Sequence, residues 1–193
     1  MKVLLLYAHP VETSFNAALH RLIVERLSAA GHEIDDCDLY EEGFDPRLSR
    51  AERLHYHEER SPGEPISAYV RRLQAAEALV LCFPVWNYGY PAILKGFFDR
   101  VFLPGVSFRL VAGKAEPALH NIGKVVAVTS YGGSRFRAFL VGDPPRKLVN
   151  RLLRATVRPG APVAFLAHYS MNLSTARSRK KFIARVAAAM DAF

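Results

Sequence analysis

The chain has 193 residues, of which 50% are hydrophobic, 23% charged and 11% aromatic, with a formal charge of +8. That mixture excludes a disordered or fibrous polymer and suits one soluble globular domain with a single core, since domains commonly hold about 100–200 residues. The charge leaves nucleic acid, an anionic membrane surface and a phosphate-bearing ligand open as partners, because a field alone does not choose among them.

The N-terminal MKVLLLYAHP carries an apolar run too short, and too soon interrupted, for a membrane span or a signal h-region. A cytoplasmic location is expected. VLLLYA (3–8) is apolar throughout, as a strand buried on both faces of a parallel sheet would be. Behind it Phe15, Ala18, Leu19, Leu22, Ile23 and Leu27 recur on one helical face, and Gly31 supplies the stop. HEIDDCDLY (32–40) reads as a weaker strand, and the charged stretch 41–65 as a connection with one short helix near 49–59.

SAYVRRLQAAEA (67–78) is helical and ALVLCFPV (78–85) a buried strand, and PAILKGFFDRVF (91–102) predicts a helix with Pro91 at its first turn. The stretch 103–122 is long enough to suggest a functional cover. KVVAVTS (124–130) predicts a strand, PPRKLVNRLLRAT (144–156) a helix, PVAFLAHYS (162–170) a strand and STARSRKKFIARVAAAM (174–190) a helix. Five strands alternating with helices argue an α/β, doubly wound parallel sheet covered on both faces.

The basic residues sit at helical spacing between apolar ones in several helices and read as solvated faces, since long basic stems cover apolar surface while their heads stay wet. No nucleic-acid-binding module is recognised among them. Cys37 and Cys82 are far apart in strand-like segments, so reduced core thiols are expected and neither a disulfide framework nor a metal site.

Ligands of an open α/β sheet bind at the carboxyl ends of its strands. Three turns therefore matter most: HPVETSFN (9–16), FPVWNYGYP (83–91) and TSYGGS (129–134). The first lacks both GxGxxG and GxxxxGK[ST], which leaves a dinucleotide-binding Rossmann domain and a nucleoside triphosphatase unsupported. It does offer hydroxyls on Thr13 and Ser14, an amide on Asn16 and the N–H groups of a helix start, a set that suits a phosphate. The plainer reading is that Ser14 only caps the helix. The second turn's aromatics Trp86, Tyr88 and Tyr90 suit a flat ring or, equally, a subunit interface. In the third, Gly132 and Gly133 allow a close backbone approach or a sharp bend.

A hydrolase is the rival reading. Ser134, Asp143 and His168 occur in the order α/β-hydrolases use, but Phe136 stands where the nucleophile elbow closes with glycine. Too little chain separates Ser134 from Asp143 for the usual strand and helix.

Taken together, the three turns resemble the flavodoxin-like NAD(P)H:quinone oxidoreductases, a family of quinone reductases and of ancillary oxidoreductases of potassium-efflux systems. The resemblance rests on YAHPVETSFNAAL (7–19), FPVWNYGYPAILKGFFDRVF (83–102) and TSYGGS (129–134). It implies a single flavodoxin-like flavin-binding domain over 1–193 with five strands in the order 2-1-3-4-5. It further implies that His9, Ser14, Phe15 and Asn16, beside Thr13, hold a flavin phosphate. Pro84, Val85, Trp86, Asn87 and Tyr88 would line one edge of the isoalloxazine, with Ser130, Tyr131, Gly132 and Gly133 on the other side. Phe108 matches a position where the family places an aromatic over the ring, so Phe108, Trp86 and Tyr88 are candidates to stack on nicotinamide or quinone.

The implied chemistry is ping-pong hydride transfer from NAD(P)H, as co-substrate, through the flavin to a quinone-like acceptor, with no side-chain nucleophile. FMN is favoured over FAD because the first turn explains one phosphate. Animal members continue from the Gly-Gly turn into a stretch with a Tyr and a His that stabilise the reduced flavin. SRFRAFLVGDPPRK lacks that pair, so general flavin, azo or nitro reductase activity stays open. The family builds its substrate site across two subunits, which implies a homodimer through the 86–108 region. A flavin-binding regulatory partner docked on a membrane transporter is the non-enzymatic alternative.

Overall fold

The computed structural model describes residues 1–58 and 62–193. In chain order the elements are β1 (Lys2–Tyr7), α1 (Phe15–Ala29), β2 (Glu33–Asp38), α2 (Arg50–Leu54), α3 (Ile66–Ala75), β3 (Ala78–Val85) and α4 (Ala92–Val101). There follow β4 (Phe108–Val111), β5 (Lys114–Pro117), β6 (Val125–Tyr131), α5 (Arg135–Leu140), α6 (Pro144–Lys147), β7 (Val163–His168) and α7 (Ala176–Asp191). The five long strands pair in parallel in the order β2-β1-β3-β6-β7. Counted along this sheet alone, that is the expected order 2-1-3-4-5.

The apolar runs occupy the centre, where every residue of β3 and β6 is buried, whereas in β2, at the edge, only Cys37 is. Side chains of a strand point to opposite faces in turn. Leu4, Leu6, Leu79, Leu81, Phe83 and Ala127 thus face α3 and α4, packing on Leu73, Leu94 and Phe97. Val3, Leu5, Val80, Cys82, Val126 and Val128 face the other way, onto Leu19 and Ile23 of α1 and Phe182 and Val186 of α7. The single core expected from chain length is therefore two cores, one on each face of the sheet.

The connection 41–65 holds the expected short helix as α2, set by a capping box between Ser49 and Glu52; residues 59–61 lie outside the described ones. Gly96 of α4 packs against Pro46 of this connection so closely that no Cβ would fit. Both cysteines are free and buried, Cys37 on β2 and Cys82 on β3, and burial pushes both thiols up.

The stretch 103–122 carries structure of its own: β4 and β5 form an antiparallel hairpin within it, and Leu119 and Ile122 are fully buried beyond it. The helix expected over 144–156 runs unbroken to Ala155 but changes pitch: it is α-helical to Lys147, widens into a π turn at Leu148–Leu152 and tightens at Leu153–Ala155. Its end is drawn away where the Leu119 amide donates to the Thr156 carbonyl at 3.0 Å.

Candidate functional site

The first turn joins β1 to α1 at the carboxyl edge of the sheet. Ser14 has the extended backbone of an N-cap, and its hydroxyl oxygen accepts the Ala17 amide at 3.0 Å. The hydroxyl proton stays available, as do the first N–H groups of a 15-residue helix. The Val11 amide donates to His9 Nδ1 at 3.0 Å, which leaves the ring proton on Nε2. Burial holds His9 below its usual value, so the ring is neutral at pH 7. Thr13 is exposed beside these groups. Phe15 is half-buried and turns its ring onto His168 and Phe182, centroids 5.5 and 6.3 Å away.

Asn16 is only 4% exposed, and its Nδ2 donates to Ser130 Oγ at 2.9 Å, tying the first turn to the third. The Ser130 hydroxyl can donate as well as accept, so either end of the amide satisfies it. The other end is buried without a partner, here Oδ1.

Pro84 and Val85 close β3, and the second turn follows as a two-residue hairpin. The Trp86 and Gly89 backbones exchange hydrogen bonds of 3.2 and 2.8 Å, with φ +49 at Asn87 and +55 at Tyr88. Both central residues are left-handed, as a type I′ turn requires. The three aromatics part company. Trp86 is 41% exposed and meets the His9 ring at 5.8 Å. Tyr90 turns inward onto Phe83 and Phe98, at 4.9 and 5.5 Å, so it belongs to the core and not to an exposed cluster. Tyr88 reaches the third turn, where a Cβ on Gly133 would lie 2.8 Å from its hydroxyl. A larger residue at 133 would require the Tyr88 ring to shift.

In the third turn Ser130 and Tyr131 end β6, and the Ser170 amide, from the loop after β7, donates to the Gly133 carbonyl at 2.8 Å. The Tyr131 side chain is 1% exposed and points beneath the turn, its hydroxyl donating to Asp143 Oδ1 at 2.6 Å. Arg146 Nε donates to Asp143 Oδ2 at 2.9 Å and its Nη2 to the Tyr169 hydroxyl at 2.8 Å. The Tyr131 and Tyr169 rings lie 4.6 Å apart. Burial, and then the adjacent Asp143 carboxylate, push the Tyr131 hydroxyl far above its ordinary value. Sequence reading missed this brace; its one local signal is the i, i+3 spacing of Asp143 and Arg146.

Other expected residues do not converge. Phe108 starts the hairpin half-buried, and no ring contact or side-chain hydrogen bond among the described residues joins it to the three turns. Ser134 caps α5 by accepting the Arg137 amide at 3.3 Å, Asp143 is held by Tyr131 and Arg146, and His168 packs against Phe15 and Phe182. No hydrogen bond among the described residues links Ser134, Asp143 and His168, so the hydrolase triad is not assembled. A cavity of about 500 Å³ lined by Asp45, Glu52, Tyr56, Glu64 and Arg100 shares no residue with the three turns.

A family model describing a flavodoxin-like fold (Flavodoxin_2) matches residues 1–158. The ribosyldihydronicotinamide dehydrogenase (quinone) of Pongo abelii is 35% identical over 147 residues, 68% of this chain and 64% of that protein. The NAD(P)H dehydrogenase (quinone) 1 of Rattus norvegicus is 31% identical over 149 residues, 69% of this chain and 54% of that protein. The chain thus spans between half and two thirds of these relatives' length. An NAD(P)H:quinone oxidoreductase from Methanothermobacter marburgensis, 26% identical, superposes over 99% of this chain and 96% of its own with a TM-score of 0.84.

Proposed function

The chain belongs to the flavodoxin-like family, and from that premise we propose that it is a flavin-dependent oxidoreductase taking hydride from NAD(P)H to a quinone or similar small acceptor. The observation that carries the reading is the convergence of three turns at one sheet edge, closed by Asn16 on Ser130 and by Tyr88 against Gly133. The names of the relatives supply the substrate class.

The residues fit a flavin. The Ser14 and Thr13 hydroxyls and the first N–H groups of α1 suit a phosphate, with the positive end of the helix dipole beside them. The free end of the Asn16 amide is a buried hydrogen-bonding group that a ligand would satisfy. Tyr88, packed against the bare Cα of Gly133, holds the second and third turns together as two sides of a site for a planar ring. When bound, the flavin supplies the redox chemistry, accepting hydride and passing it on. The protein orients it and offers the exposed Trp86 face to nicotinamide or quinone. FMN is the preferred form, since one helix start with two hydroxyls accounts for one phosphate. A homodimer through 86–108 belongs to the same proposal, as does residence in the cytoplasm.

The test is steady-state oxidation of NADH and NADPH by the flavin-loaded protein with a soluble quinone. Parallel double-reciprocal lines, the mark of a shared site used in turn, are the expected result. A loaded protein that oxidises neither nucleotide would overturn the enzymatic reading.

A further inference from the structure

α5 turns its apolar stripe outward. Phe136, Phe139 and Leu140 stand at i, i+3 and i+4, on one helical face, and are 68%, 73% and 65% exposed, while Ala138 is fully buried. That is the reverse of a helix packed on a core. Val141 and Leu152 extend the exposed apolar surface, and beside them lies a groove of about 430 Å³ lined by Val141, Pro144, Lys147, Leu148, Arg151 and Leu152. Contiguous exposed apolar surface of this kind marks an interaction site.

Charge indicates the occupant. Asp143 is the one acid in the stretch 134–158, and it is engaged by Tyr131 and Arg146. Arg135, Arg137, Lys147, Arg151 and Arg154 are all exposed, and no ion pair among the described residues neutralises them. A second copy docking face to face would set these cations against their own images. Anionic lipid headgroups would instead pair with them while the Phe and Leu side chains enter the boundary of the acyl region.

We propose that α5 and residues 141–152 form a docking face for an anionic lipid surface. The attachment is peripheral: no helix among the described residues is long and apolar enough to cross a membrane. α5 starts directly after the Gly132–Gly133 turn, so docking brings the candidate flavin site to the phase in which apolar quinones dissolve. The docking itself needs no flavin and stands or falls apart from the redox reading.

Vesicle sedimentation tests it, with phosphatidylcholine alone and with phosphatidylcholine mixed with phosphatidylglycerol, alongside analytical ultracentrifugation without lipid. The protein should sediment with the anionic vesicles and not the neutral ones. The triple variant Phe136→Ser, Phe139→Ser, Leu140→Ser should bind them about tenfold more weakly or worse, with its melting temperature unchanged. Arg135→Glu, Arg137→Glu, Arg151→Glu should lose binding as well, which keeps the test intact should the serine variant fold poorly. Absence of binding, or binding that both variants retain, would overturn the proposal. So would a lipid-free dimer that the serine variant splits, since the face would then belong to a second copy.

Discussion

The first turn of the sheet edge is closed mostly by bonds a few residues long, Ser14 to Ala17 and Val11 to His9, while the third is held from Asp143, Arg146, Tyr169 and Ser170. The two turns meet through one hydrogen bond, Asn16 to Ser130. Local bonds can be lost singly with the rest of the turn intact. A chain of charged and phenolic groups fails as a unit, because removing Asp143 leaves the buried Tyr131 hydroxyl and the half-buried Arg146 without their shared partner.

The largest effect should therefore come from Asp143→Ala, which strips partners from both Tyr131 and Arg146. A loss of about 2–3 kcal/mol in urea unfolding is expected. Tyr131→Phe and Arg146→Met should couple in a double-mutant cycle by about 0.5 kcal/mol or more, and strict additivity would show that the brace is not one unit. Asn16→Ala removes the bond between the turns and should cost about 1–2 kcal/mol. Ser14→Ala removes a helix cap and should cost about 1 kcal/mol. The variant combining Ser14→Ala with Asn16→Ala should stay folded and lose flavin affinity. Because Asn16 is 4% exposed, it should also lose stability, which a purely ligand-facing side chain would not.

The smallest effect is a pH dependence. Burial holds His9 and His168 below the ordinary histidine range, so the fold favours their neutral forms. That stability is complete above the unfolded value and is lost as pH falls through the folded value. The melting temperature should hold steady above about pH 7 and decline in acid, less steeply in His168→Gln. An equal decline in both would remove His168 from the account.

The same contrast between near and distant partners explains what was legible. β3 and β6 were readable because every position is buried, β1 because all but Lys2 are, and α1 because its apolar spacing begins at a capping serine and ends at Gly31. The β4–β5 hairpin was not, since its strands are largely exposed and its turn is Ala112–Gly113 with positive φ at both residues, lacking the usual Asn or Asp signal. α5 escaped notice because it is short and directs its apolar stripe to solvent, leaving no core-facing pattern. Residue types in 83–91 gave no sign that Tyr90 would pack inward while Trp86 stayed out, since Phe83 and Phe98 make that choice. The Asn16–Ser130 bond spans 114 positions, beyond any local pattern.

The central claim is that this edge holds a flavin, and the most direct measurement is titration of the flavin-free protein with FMN and FAD, followed by intrinsic and flavin fluorescence. The account predicts saturable binding of one flavin per chain, tighter for FMN, and weakened about tenfold or more when Ser14 and Asn16 are both alanine. A folded protein that takes up neither flavin would contradict it.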